Sequence, residues 1–286
     1  MIITVASGKG GTGKTLVSTN LAAALVLSGN ENVTYMDCDV EEPNGHIFLK
    51  PRLTKVEAVN IAVPTCNKER CDYCGKCAEV CQFNAILVAK NLFLVFEEMC
   101  HGCGSCILAC PNKALTEKSR KIGVVESGVS MLGDNKQLNF FHGKLNIGEP
   151  MAPPVIKALK KHINKEDIVI LDAPPGTSCP VVESITNSDF VVLVTEPTPF
   201  GLHDLKLAVD VVRKLKVPLG VVLNKSGIGN AEVNNFCNQE NIPILLSIPH
   251  DKSIAHTYSK GELLAPNSEF KVAFNNLYQH ILEAIK

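Results

Sequence analysis

Eight of the twelve cysteines in this 286-residue chain lie between Cys71 and Cys110. They form two runs of one pattern: Cys71-x2-Cys74-x2-Cys77-x3-Cys81 and Cys100-x2-Cys103-x2-Cys106-x3-Cys110. In a reducing compartment, thiols at that density ligate metal rather than pair as disulfides. Three thiolates at two-residue gaps, given twice, suit iron–sulfur cubes; paired Cys-x2-Cys units leave tetrahedral zinc as the alternative. A second chemistry stands at the other end of the sequence. Gly8, Lys9, Gly10, Gly11, Thr12, Gly13, Lys14 and Thr15 fit G-x4-G-K-[ST]. Its glycines let backbone N–H groups close around the phosphates of ATP, with Lys14 on the β- and γ-phosphates and the Thr15 hydroxyl on Mg²⁺. Cys38, Cys66, Cys179 and Cys237 share no ligand spacing, and the eight histidines form no ligand cluster.

These groups need a scaffold to hold them. IITVAS before the glycine loop reads as a strand, and KTLVSTNLAAALVLSG after it as a buried helix closed at Gly29. Further apolar runs follow at VTYM, IVILD (168–172), FVVLVT (190–195), LGVVLN (219–224) and ILLSI (244–248). Helical patterns over 153–164, 203–216 and 269–285 alternate with the later runs. Near-continuous apolar strands alternating with helices predict an α/β fold, a mostly parallel sheet covered on both faces. The alternation fails between 58 and 120, where the sequence repeats itself with a shift of 29: Ala85 and Ile86 recur as Ala114 and Leu115, with the cysteines between. The expected organisation is a sheet domain from 1–57 and 121–286, interrupted by a small α+β unit at 58–120 that depends on its metal for stability.

Lysine and arginine number 28 against 29 acidic residues. No overall field exists to hold nucleic acid or an anionic membrane, and no apolar run reaches membrane-spanning length. MIITVASGKGG is too short and glycine-rich for a secretory leader, so the expected location is cytoplasmic.

The loop carries a lysine, Lys9, that the ordinary motif does not need. SGKGGTGKT resembles the deviant Walker A signature of the MinD/ParA ATPases, a group that also contains the nitrogenase iron protein and Mrp-type iron–sulfur carriers. The resemblance spans 1–57 and 121–286 and implies a nucleotide-sandwich dimer, with itself or with a paralogue, in which Lys9 reaches the partner's nucleotide. Asp37-Cys38-Asp39 resembles switch I, making Asp39 the carboxylate that orients the attacking water. IVILDAPPGTSCP resembles Walker B with switch II: Asp172 holds Mg²⁺ through water and Gly176 offers an N–H to the γ-phosphate. Asn224, with Lys225 behind it, matches the adenine-contact position; Pro249, His250 and Asp251 resemble the loop that closes over the base.

The cysteine runs are similar to those of bacterial ferredoxins, where the fourth ligand comes from the other run. That rule assigns Cys71, Cys74, Cys77 and Cys110 to one [4Fe–4S] cluster and Cys100, Cys103, Cys106 and Cys81 to a second. Gln82 follows the first run where Pro111 follows the second, so one turn lacks the fixed φ of proline. Cys179 lies seven residues after Asp172, as does a ligand of the dimer-bridging cluster in the nitrogenase iron protein, but no second cysteine precedes Asp172 closely. The implied function is an ATPase whose dimer switch gates electron transfer or metal-cofactor delivery to a redox or metallocofactor client. The alternative is a MinD- or ParA-like positioning ATPase with structural or docking clusters.

Overall fold

The computed structural model describes residues 1–30, 32–133 and 136–285. The chain begins with β1 (Ile2–Ala6), α1 (Lys14–Leu27), β2 (Val33–Asp37), α2 (Gly45–Leu49) and the long β3 (Arg52–Cys66). Short elements follow: α3 (Lys76–Glu79), β4 (Ile86–Ala89), β5 (Leu92–Val95) and α4 (Ser105–Ala109). The long β6 (Leu115–Met131) and β7 (Gln137–Leu145) lead into α5 (Pro153–Lys160), β8 (Ile168–Asp172), α6 (Cys179–Ile185) and β9 (Phe190–Thr195). The last part contains α7 (Pro199–Lys214), β10 (Leu219–Ser226), α8 (Glu232–Gln239), β11 (Ile244–Pro249), α9 (Lys252–Ser259) and α10 (Ser268–Ile285).

Nine strands form one sheet in the order β11-β10-β9-β1-β8-β2-β7-β6-β3. From β11 to β7 all neighbours are parallel. The expected mostly parallel α/β sheet is thus present, and its central strands β2 and β9 are buried at every residue, as burial on both faces requires. One face carries α1 and α10 over Ile3, Val5, Phe190 and Val192. The other carries α5 over Val169 and Leu171, and α6, α7 and α8 over Val191, Leu193 and Val221. α1 is buried along its length except for Leu27; its C-terminal half is apolar on all sides, and Ser18, Thr19 and Asn20 in its first half donate to backbone carbonyls of the helix.

Three expectations need adjusting. The helix read over 153–164 stops at Lys160, while the one read over 203–216 starts earlier, at Pro199, because the Thr198 hydroxyl caps it by accepting from the Gly201 N–H at 3.0 Å. The sheet also has an antiparallel edge: β6 runs against β7, and β3 against β6. β3 and β6 pair from Arg52↔Val129 to Cys66↔Leu115, with register shifts between Leu53 and Lys55 and between Val59 and Asn60, so positions 58 and 120 lie within the ribbon rather than at its ends. Charged and small residues in this ribbon hide its strand pattern, since the first seven residues of β3 are exposed.

Between the ends of the ribbon, residues 67–114 return on themselves. β4 and β5 form a separate antiparallel hairpin, and the sequence repeat reappears in the backbone. Positive φ angles recur at Tyr73 and Gly102 (57° and 65°), Gly75 and Gly104 (82° and 74°), and Asn84 and Lys113 (51° and 49°).

Candidate functional site

The parallel order places the carboxyl ends of β1, β2 and β8 side by side, where an open α/β sheet presents its crevice. Their following loops line a cleft of about 440 Å³, within the usual range for small-molecule sites. Lys9, Gly10, Gly11, Gly13, Lys14, Thr15, Asp39, Asn224, Pro249 and Asp251 all line it. Gly13, at φ 93°, forms the turn into α1, and a side chain there would meet the Asn224 amide at 2.1 Å. Gly8 and Thr12 support the loop from behind. A Cβ on Gly8 would strike the Asp204 carbonyl of α7 at 2.2 Å, and Thr12 is buried. The Thr12 hydroxyl has no hydrogen-bond partner among the described residues.

Lys14 and Asp172 are buried against each other, Nζ to Oδ1 at 2.6 Å, and the Tyr35 hydroxyl donates to the other Asp172 oxygen at 3.0 Å. Burial works against the Lys14 charge, but Asp172, Asp37 and Asp39 outweigh it and raise its pKa. Asp39 lies at the cleft wall, its carboxyl raised to about 6 chiefly by burial. Asp37, which sequence reasoning passed over, is fully buried and raised to about 7, burial being the first cause and Asp172 the second. Its carboxylate nevertheless accepts from the N–H groups of Asp39, Asn44 and Gly45 at 3.1, 3.0 and 2.8 Å. It therefore shapes the loop that presents Asp39; the signal was an acidic strand end followed by Pro43-Asn44-Gly45.

Several expected contacts are engaged elsewhere. The Gly176 N–H donates to the Ser7 carbonyl at 2.9 Å, because the switch II turn folds back onto the end of β1; here it does not face the cleft. Asn224 donates to the Thr12 carbonyl at 2.7 Å and accepts from the Lys225 N–H, so it braces the glycine loop as well as lining the cleft. The Asp251 carboxylate caps α9 through the Ser253 N–H at 2.6 Å. Lys9 lies 3.9 Å from Glu196, whose carboxylate also holds Lys225.

The eight cysteines of the two runs separate into two cavities. Cys71, Cys74, Cys77 and Cys110 line one, the outer site; Cys81, Cys100, Cys103 and Cys106 line the other, the inner site. Each of these two sites encloses about 20 Å³, against about 440 Å³ for the cleft. The crossing of the fourth cysteine in each set follows from the antiparallel return of the chain. Equivalent backbone donors point at the crossing sulfurs: Ala85 N–H to Cys81 Sγ at 3.3 Å and Ala114 N–H to Cys110 Sγ at 3.2 Å. Among the described residues no three His, Cys, Asp or Glu side chains converge as a single-ion site does. In a cube each thiolate takes a different iron, which calls for sulfurs spread around a cavity.

The other cysteines are placed differently. Cys38 and Cys237 are fully buried, with burial raising their thiols to about 12 and about 11, in keeping with a packing role. Cys179 is exposed at the start of α6. Cys66, which shares no ligand spacing in the sequence, packs beside the outer site with Cys77 and Cys110. No described helix is long and apolar enough to cross a membrane. A further polar group joins the ribbon to α2. Glu126 of β6 holds His142 of β7 at 2.7 Å and Lys144 at 2.9 Å, and His142 meets His46 edge-on.

Residues 3–264 match the family described as CobQ/CobB/MinD/ParA nucleotide binding domain. An uncharacterized protein of Methanocaldococcus jannaschii is 35% identical over 271 residues, covering 92% of this chain and 90% of that one. An iron–sulfur cluster carrier protein of Aquifex aeolicus is 27% identical over 308 residues, covering all of this chain and 68% of its own. Among solved structures, the septum site-determining protein MinD of Pyrococcus horikoshii, complexed with Mg-ADP, superposes with a TM-score of 0.58 at 21% identity. The superposition covers 98% of this chain and 95% of that one, a likeness of fold.

Proposed function

The chain belongs to the CobQ/CobB/MinD/ParA nucleotide-binding family, and from that premise we propose an ATPase whose dimer switch gates electron transfer or metal-cofactor delivery to a client protein. The observation that carries the proposal is a shared core. Cys38 and Val40, which flank Asp39, pack in one apolar cluster with Val169 and Leu171, which lead to Asp172. The same cluster contains Ala85 and Cys100, with Cys81 packed against it. Movement of either nucleotide-facing loop therefore presses on residues of the inner cysteine site.

In the cleft, Lys14 exchanges Asp172 for the β- and γ-phosphates of ATP, freeing Asp172 to hold Mg²⁺ through water beside the Thr15 hydroxyl. Asp39 accepts a hydrogen bond from the attacking water and aims it along the line of the leaving phosphate. Turning the switch II loop away from Ser7 would aim Gly176 N–H at the γ-phosphate. Lys9 reaches across a dimer interface to the partner's nucleotide.

Within the expected 58–120 unit, residues 67–114, in this reading, form a ferredoxin-like body carried on the ribbon. The residues fit two [4Fe–4S] clusters: two sets of four thiols, each around its own cavity, each with a backbone N–H on the crossing sulfur. When bound, such clusters supply one-electron carriers. The protein supplies thiolates, N–H donors and an apolar backing.

Electron paramagnetic resonance of anaerobically purified, reduced protein, with and without MgATP, tests the proposal. Two interacting [4Fe–4S] signals whose shape or potential changes with ATP are expected. Clusters indifferent to ATP would instead favour a positioning ATPase in which they serve docking or structure. Its fold likeness to MinD is the observation that keeps that second reading in view.

A further inference from the structure

Resting on the reading that both cysteine sites hold [4Fe–4S] clusters, we infer that the two differ in permanence: the inner site keeps its cluster, and the outer site passes its cluster to an acceptor protein that offers thiolates. Three observations separate the sites in the same direction.

The first is what lies over each cavity. The repeat that aligns Cys71 with Cys100 and Cys81 with Cys110 also aligns Asp72 with His101 and Asn112 with Phe83. At the inner site Phe83 and His101 stack face to face, with ring centroids 3.5 Å apart and planes 6° from parallel, and both line the cavity. At the outer site their counterparts Asp72 and Asn112 line the cavity, and the Asp72 carboxylate accepts from the Cys74 N–H at 3.2 Å. A stacked aromatic plate keeps water and small nucleophiles from the sulfurs beneath it, whereas a carboxylate and an amide keep them hydrated.

The second is burial of the thiols. Cys100 and Cys106 are each 8% exposed, whereas none of the four outer cysteines is buried. Cys103 and Cys74, which occupy equivalent positions, are both exposed, so the difference arises from the other ligands. The third is backing. Cys81 and Cys100 pack with Ile61, Val63 and Ile156 in the core that continues into the sheet domain, so their sulfurs are fixed by the larger body. Cys77 and Cys110 pack only in the small cluster around Ile86 and Leu115, which Cys106 and Cys81 of the inner site also join. Glu117 of β6 also lines the inner cavity, its carboxylate near Gly104.

Transfer from the outer site is ligand exchange. Each iron–thiolate bond to Cys71, Cys74, Cys77 or Cys110 is replaced by one to an incoming thiolate of the acceptor. Each protein thiolate left behind takes up the proton that the acceptor thiol gave, and no electron changes hands.

The test uses the full chain, anaerobically reconstituted to about eight iron atoms, as two such clusters require. It is mixed with excess bathophenanthroline disulfonate, and the coloured ferrous complex is followed. Two phases of equal amplitude are expected, the first at least about tenfold faster, given that thiol exchange follows access. Phe83→Asn with His101→Asp, which gives the inner site the outer cover, should bring the slow phase up to the fast one. Asp72→His with Asn112→Phe should slow the fast phase. Circular dichroism verifies that each variant keeps its fold. One-phase release from the wild type, or two phases that both covers leave unchanged, overturns the inference. Uptake of fewer than about eight irons instead overturns the cluster reading beneath it.

Discussion

Asp39 has a carboxyl that burial has raised to about 6, close to the pH at which it must be ionised to accept a hydrogen bond from water. ATP turnover should therefore fall as pH drops through about 6, and a pH–rate profile checks this. Asp39→Asn should retain MgATP and lose roughly 10²–10⁴-fold in turnover, the usual contribution of a positioned base. The same shift has a stability consequence of known sign. A carboxyl whose folded pKa is raised contributes stability that is fully present below its unfolded value and lost as pH rises through about 6. The Asn variant does not titrate, so its melting temperature should exceed that of the wild type at pH 8, and the gap should close near pH 4. Equal melting temperatures at pH 8 would place Asp39 in a more hydrated setting. Lys14→Ala acts in the opposite sense. It leaves Asp172 buried without its 2.6 Å partner and should cost about 3–5 kcal/mol in urea unfolding at pH 8, besides abolishing nucleotide binding.

At the scale of elements, the unforeseen part is the ribbon of β3 and β6, and the reason is local. Strand recognition depends on an apolar period, but LTEKSRKIGV spends its first half beside solvent, with only Leu115 buried before Ile122. The sheet strands were legible because both faces are covered, and the glycine loop because its spacing is dictated by phosphate geometry. The loop shaped by Asp37 was not, since its meaning lies in three N–H groups that only the fold aims at one carboxylate. β7 fits between β2 and β6 through Gly143, where an added Cβ would lie 2.6 Å from Val40 and 2.9 Å from Val155. Both neighbours are β-branched and cannot turn aside. Gly143→Ala should thus lower stability by about 1–3 kcal/mol, read as a shift in urea midpoint without change of slope. Because Val40 adjoins Asp39, the variant should also bind MgATP more weakly. A change in stability alone would show that β7 and the switch I loop move independently.

For the whole molecule, the proposed dimer raises the question of how one subunit's cleft would sense another. Lys9 is the glycine-loop lysine that the ordinary phosphate-loop chemistry leaves without a task, and the structure holds it on a light tether. Its ammonium is 3.9 Å from Glu196, with a third of the side chain exposed, while Lys225 sits 2.5 Å from the same carboxylate. A half-buried pair at that separation, with Glu196 already held by Lys225, contributes roughly 0–1 kcal/mol, so a partner's phosphate can draw Lys9 away. Lys9→Ala should accordingly leave the monomer's stability and its own ATP binding close to wild type, since Lys14 and Thr15 remain. It should stay monomeric in MgATP at protein concentrations where the wild type sediments as a dimer. Its turnover should fall by at least about tenfold, as expected when a charge on the transferring phosphoryl group is lost, and should no longer rise with protein concentration. Sedimentation velocity and turnover measured over the same concentration series distinguish the cases. If Lys9→Ala dimerises as the wild type does, the contact between subunits is made elsewhere. The shared core would then transmit the state of a single cleft to the cysteine sites without a partner.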